Sequence, residues 1–173
     1  NGGRLFYFGA GTSGRLGVLD AAECPPTFGT SPQQVQAIIA GGSGALGEAV
    51  ENAEDDREAA YIELSKRSIN QGDFAIGITA SGSTPFVLGG LQKLREAGIQ
   101  TGAIFCNPGA KAATETDFPI LLAVGPEVLR GSTRLKAGTA TKLALNMIST
   151  GVMVSLGHCA GAGSKVKKAA TIF

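Results

Sequence analysis

The stretch Phe8-Gly9-Ala10-Gly11-Thr12-Ser13-Gly14-Arg15 constrains this chain more than any other. Before it runs Arg4-Leu5-Phe6-Tyr7, short and apolar enough for a buried strand. After it, Leu16-Gly17-Val18-Leu19-Asp20-Ala21-Ala22 reads as the body of a helix. A strand that turns on glycines into a helix leaves N–H groups unpaired at the helix start. The helix dipole adds partial positive charge there, so the turn suits a phosphate. Gly11, Thr12 and Ser13 are the candidate contacts, the glycine for close approach and the hydroxyls as partners. Gly9-x-Gly11-x-x-Gly14 also matches the dinucleotide fingerprint, but that site wants an acid about 20 residues on, at the end of the second strand. Here the second strand, Val35 to Ala40, runs into Gly41-Gly42-Ser43 without a carboxylate, so NAD is not expected. A glycine turn with hydroxyls as ordinary helix caps is the plainer alternative.

With 173 residues the chain is long enough for one domain with a substantial core. It begins at Asn1 and reaches its first strand almost at once, which reads as a piece of a longer protein. A net charge of +1 without a large basic block argues against a nucleic-acid partner. No apolar run approaches the roughly 18 residues of a membrane span, and no signal peptide is seen. Cys24, Cys106 and Cys159 are odd in number and lack metal-ligand spacing, which reads as reduced thiols in a cytoplasmic protein.

Strand-like runs at 4–9, 35–40, 73–79, 100–106 and 118–124 alternate with helical patterns. The expected fold is α/β, a doubly wound, flavodoxin-like parallel sheet with helices on both faces. The third run leads into Ala80-Ser81-Gly82-Ser83-Thr84-Pro85 and a helix from about 85 to 97. This second turn repeats the chemistry of the first: small residues, hydroxyls, a helix start. If strands one and three are neighbours, Thr79, Ser81, Ser83 and Thr84 face Thr12 and Ser13 across the crevice where such sheets bind ligands. Hydroxyls at this density are also ordinary turn chemistry. Further on, Ser132 or Thr133 is expected to cap a helix from Ala137 to about Leu156, with ligand contact by Ser132 as the alternative. His158 has no carboxylate partner in the sequence.

Two carboxylates stand out. Glu23 opens Glu23-Cys24-Pro25-Pro26-Thr27, where the proline pair is expected to force the chain out of the first helix. Glu54 heads Glu54-Asp55-Asp56, acids that suit the start of a helix over 57–68. At this point Gly9 to Gly17, Ala22-Glu23-Cys24-Pro25-Pro26-Thr27, Ala53-Glu54-Asp55, Gly125-Pro126-Glu127-Val128-Leu129 and Gly131 to Ala140 together resemble the N-acetylmuramic acid 6-phosphate etherase family, in register from Gly2 to about Gly157.

The resemblance implies a sugar isomerase (SIS) domain over 1–157, with a five-stranded parallel sheet that binds phosphosugars. It implies cleavage of the lactyl ether of N-acetylmuramic acid 6-phosphate to N-acetylglucosamine 6-phosphate and D-lactate in cell-wall recycling. It assigns acid/base roles to Glu23 and Glu54, requires no metal or redox cofactor, and implies a homodimer. Where family members usually carry arginine this chain has Ser83, which leaves a less basic phosphate cradle. The tail 158–173 departs from the family pattern, and the flanking segments of the full-length family are absent. A phosphosugar-sensing regulator on the same fold, like the glucokinase regulatory protein, shares the Thr12-Ser13 loop but lacks the Glu-Cys-Pro-Pro stretch. An aldose–ketose phosphosugar isomerase would share the phosphate loops without the lactyl ether.

Overall fold

A computed structural model describes residues 2–158. Its five parallel strands are β1 (Leu5–Gly9), β2 (Val35–Ile39), β3 (Phe74–Ile78), β4 (Gln100–Phe105) and β5 (Phe118–Leu121), in the order β2-β1-β3-β4-β5. The helices are α1 (Gly11–Phe28), α2 (Ala59–Lys66), α3 (Pro85–Glu96) and α4 (Lys136–Ser155). This is the expected doubly wound sheet, and β1 does lie beside β3, with Gly9 opposite Ile78.

Side chains alternate across β1, so the strand feeds two cores. Phe6 and Phe8 point to the side covered by α2 and α3, among Ala60, Leu64, Phe86 and Leu91. Leu5 and Tyr7 point to the other, among Ala21, Cys24, Leu145 and Met153 of α1 and α4. Burial on both faces explains why β1 reads as a continuous apolar run. On the α1/α4 side the buried Asp20 ties the two helices together, its Oδ1 accepting from Asn146 Nδ2 at 2.8 Å and Ser149 Oγ at 3.1 Å. Burial and then the Asp20 charge push the Cys24 thiol up to about 11, so it is an inert core thiol.

Two glycines in α3 set how closely the chain ahead of α2 can lie. A Cβ on Gly89 would stand 2.0 Å from the Arg57 carbonyl oxygen, and one on Gly90 would stand 2.6 Å from Phe8 Cε2. The bare surface of α3 therefore lets the 54–60 segment press against its first turns.

Several expected boundaries are corrected. The Pro25-Pro26 pair does not end α1, which continues through both prolines to Phe28 and closes on Gly29 in the left-handed conformation (φ 65°). The prolines remove N–H groups that would bond the carbonyls of Ala21 and Ala22, but only in the last turns. There the Gly29 N–H still reaches the Pro25 carbonyl at 2.8 Å. The second helix covers Ala59–Lys66, and Asp56 is the acid at its start, accepting from the N–H groups of Glu58 and Ala59. β5 stops at Leu121. Among the described residues no helix is long and apolar enough to cross a membrane. The divergent tail lies outside the described residues except for His158, as does Cys159.

Candidate functional site

The two turns singled out in the sequence both leave the carboxyl ends of adjacent strands, where open α/β sheets bind ligands. They are built differently. In the first, three glycines meet three separate demands. A Cβ on Gly9 would lie 2.8 Å from the Ile78 carbonyl oxygen, Gly11 has φ +52°, and a Cβ on Gly14 would lie 2.6 Å from the Gly9 carbonyl oxygen. Ala10 gives no side-chain cap. The N–H groups of Gly11, Thr12 and Ser13 thus open α1 without intrahelical partners. Thr12 and Ser13 are half-buried, and the Thr12 methyl faces the first turn of α4, 3.6 Å from where Gly138 would carry a Cβ.

The second turn is held by its own hydroxyls. Thr79 is buried, and its Oγ1 contacts Thr84 Oγ1 at 2.8 Å and Ser81 Oγ at 3.4 Å while accepting the Gly82 N–H at 3.1 Å. Ser81 Oγ accepts from the Ser83 N–H and hydroxyl, both at 3.2 Å. Thr79 is therefore internal scaffolding and does not stand ready for a ligand, whereas the Ser81–Ser83 pair lies at the exposed edge of the turn.

Glu54 joins the two turns. It lines a cavity of about 250 Å³ with Ala10, Gly11 and Arg15, while its backbone carbonyl accepts the Phe86 N–H at the start of α3 at 2.9 Å. Its side chain is exposed at the cavity rim. Arg15, which sequence reasoning quoted but did not place in the site, is the cation of this cavity. Its guanidinium donates to the carbonyls of Leu46 and Glu48.

Glu23 is not brought to the same place. The expected helix break at Pro25-Pro26 does not occur, so nothing turns Glu23 out of α1 toward the crevice. It sits exposed within α1, twelve positions beyond Gly11 and so about 18 Å along the helix axis.

A second cavity, about 540 Å³, opens beside Ser81 and is lined by Cys106, Asn107, Glu127, Thr133 and Ala137. Burial, with the nearby Glu127 charge, holds the Cys106 thiol above its usual range, which leaves a thiol and not a thiolate nucleophile. Neither Ser132 nor Thr133 caps α4. The helix starts at Lys136 with Leu135 at the cap position, and its first N–H groups are met by the Glu127 carboxylate. Ser132 is half-buried and lines neither cavity. A larger cleft of about 650 Å³ lies at the opposite, amino-terminal end of β4 and β5, between Arg95, Gln100 and Asp117. It holds none of the paired turn chemistry, so we place the site at the carboxyl end.

Comparison with known proteins sets the chain among sugar-phosphate folds. The chain is 58% identical to the N-acetylmuramic acid 6-phosphate etherase of Christiangramia forsetii over 161 residues, 93% of this chain and 59% of that protein. It is 58% identical to the enzyme of that name from Geobacillus thermodenitrificans, covering 92% of this chain and 54% of the relative. The chain thus spans a little over half the length of these relatives. Among solved structures, the C-terminal domain of glucosamine-fructose-6-phosphate aminotransferase from Francisella tularensis shares the fold with a TM-score of 0.63 at 18% identity, over 91% of this chain and 38% of that one. Residues 1–95 match the family described as Glucokinase regulatory protein N-terminal SIS domain. With that match over more than half its length, the chain belongs to this SIS-domain family.

Proposed function

We propose that the whole protein of which this domain is part cleaves the D-lactyl ether of N-acetylmuramic acid 6-phosphate, giving N-acetylglucosamine 6-phosphate and D-lactate. The observation that carries the reading is Glu54, a carboxylate at the rim of the Gly11 cavity whose own backbone is bonded to the helix that follows the Ser81 turn. A phosphosugar held by Gly11, Thr12, Ser13, Ser81, Ser83 and Thr84 lies within reach of that carboxylate. Thr79 supports the hydroxyls, and Ser132 stands outside both cavities.

In the open-chain sugar the C2 proton is acidic because it is α to the C1 aldehyde. A base removes it and the C3–oxygen bond breaks, with its electron pair leaving on the lactyl oxygen, which takes a proton from an acid. The resulting C2–C3 double bond then adds water, hydroxyl at C3 and proton at C2. Two carboxylates meet these needs when their environments differ. We assign Glu54, which stands at the rim of the Gly11 cavity, as the C2 base and Glu23 as donor to the lactyl oxygen.

That assignment asks for a homodimer. Within one chain Glu23 is too far along α1 to share a sugar with Glu54. Leu19, near the middle of α1, is 51% exposed. Antiparallel packing of α1 on its counterpart across a two-fold axis at Leu19 would set the partner subunit's Glu23 level with Arg15, beside the cavity. A cytoplasmic location follows from a substrate generated by recycling of the cell wall.

Mass spectrometry of products from N-acetylmuramic acid 6-phosphate and full-length protein tests the reading. Release of D-lactate with N-acetylglucosamine 6-phosphate supports it. Tight phosphosugar binding without turnover would indicate the regulator, and a ketose product the isomerase.

A further inference from the structure

Glu127 lies in the Gly125–Leu129 stretch, but neither the candidate site residues nor the proposed reaction gives it a role. Its carboxylate reaches back from the β5–α4 loop to the start of α4, Oε1 accepting the Ala137 N–H at 2.8 Å and Oε2 the Lys136 N–H at 3.1 Å. Leu135, at the cap position, offers no side-chain bond, so this carboxylate is what meets those donors. The same residue lines the cavity beside Ser81, and Gly138, one position further along α4, abuts Thr12 of the first turn. The start of α4 therefore lies against both phosphate turns.

Left open, such a helix start attracts anions, and a phosphosugar would have a second place to seat its phosphate within the same cavity. We propose that Glu127 is a specificity-determining and positioning residue: as an internal anion it fills the start of α4, restricts the ligand phosphate to the Gly11 and Ser81 turns, and fixes the loop that forms the far wall of the sugar cavity. An ionised carboxylate has about four lone-pair directions, so two bonds to backbone N–H groups leave acceptors for sugar hydroxyls. The uncharged end of the sugar then faces α4 and the phosphate faces away. The orientation of the sugar rests on the phosphosugar reading above, whereas the filling of the α4 start does not.

Inorganic phosphate is the probe, titrated calorimetrically into full-length wild-type protein and Glu127→Ala. The expected result is one phosphate per chain in the wild type and a second in the variant. Because each site adds its own mass-action stabilisation, phosphate should raise the thermal midpoint of the variant by more than it raises that of the wild type. A single equivalent with an equal thermal shift in both proteins would overturn the proposal, since the opened helix start would then attract no phosphate. If Glu127→Ala does not fold, Glu127→Gln removes the charge and keeps one capping bond. It should gain a larger phosphate-induced thermal shift than wild type, and an equal shift would overturn the proposal. Ser81→Ala in parallel separates the two readings. Unchanged phosphate affinity there would sink the phosphosugar site and leave the Glu127 stoichiometry to stand or fall by itself.

Discussion

The two ends of the sheet handle polar groups in opposite ways. At the amino-terminal end, Arg4 donates through its guanidinium to both Asp73 oxygens and to the carbonyls of Arg67 and Ser68, and it lies 5.0 Å over the Phe6 ring. Asp73, buried beneath it, also accepts the N–H groups of Arg4 and Asn70. Two strands away Asp117 accepts the Thr101 N–H at 2.8 Å. Charge there is matched to its partners, and the result is a clamp. At the carboxyl end the Gly11–Ser13 N–H groups open a helix without partners, Ser81 and Ser83 bring hydroxyls to the edge of their turn, and Glu54 stands exposed at a cavity rim. Bonding capacity left unused on a rigid support is what a ligand can take up. The difference is why we propose function at one end and stability at the other.

The largest effect that separates the ends is Glu54→Gln in the full-length protein. Turnover should fall about 10²–10⁴-fold, the usual worth of a positioned acid or base, with the thermal midpoint and phosphosugar affinity nearly unchanged. Ser81→Ala should weaken N-acetylglucosamine 6-phosphate binding by about 1.5–3 kcal/mol, the range for a hydrogen bond to a charged group, and hardly affect the unphosphorylated sugar. Equal losses by calorimetry for both sugars would show that this turn does not hold phosphate.

Gly89→Ala tests whether the carboxyl end depends on packing behind it. The new methyl meets the Arg57 carbonyl oxygen at 2.0 Å, so the segment carrying Glu54 must shift. Overpacking of this kind costs about 1–3 kcal/mol, and turnover should fall with it although the residue is away from both cavities. Normal turnover would mean that Glu54 is not held from α3.

The smallest change is expected at the amino end. For Asp73 burial alone would raise the carboxyl pKa, but the Arg4 side chain, the N–H groups of Asn70 and Arg4, and the Arg4 charge together hold it below its ordinary value. A carboxyl depressed on folding contributes stability above its unfolded pKa, and that contribution fades as pH falls through the folded value. Asp73→Asn should therefore cost about 1 kcal/mol at neutral pH, the net worth of a hydrogen bond, and progressively less in acid. Denaturant melts from neutral pH down through the carboxylate range would show it, with sugar binding at neutral pH unchanged. A gap between the proteins that widens in acid would contradict the sign.

Much of this was legible in the chain itself. Alternating apolar runs marked all five strands, and the glycine and hydroxyl turns marked the end of the sheet where we propose the site. What was not legible depended on contacts remote in sequence. Pro25-Pro26 looked like a stop because local propensity disfavours proline in a helix, yet the C-terminal turns of α1 tolerate it when the helix packs on α4 and closes at Gly29. That error also misplaced Glu23. Glu127 caps a helix from nine and ten positions away, outside the short spacing of ordinary capping motifs, so Ser132 and Thr133 looked like the caps. Glycines at 89 and 90 mark close packing only once Arg57 and Phe8 are seen against them.

The central claim is that a carboxylate at the carboxyl end of the sheet removes the C2 proton of a phosphosugar. It is tested most directly by running full-length wild type and Glu54→Gln on N-acetylmuramic acid 6-phosphate in deuterated water and reading C2 of the sugar by NMR. The account predicts that wild type yields N-acetylglucosamine 6-phosphate carrying deuterium at C2, and that Glu54→Gln yields neither product nor exchange. Product that keeps its original C2 proton, or full exchange by Glu54→Gln, would contradict it.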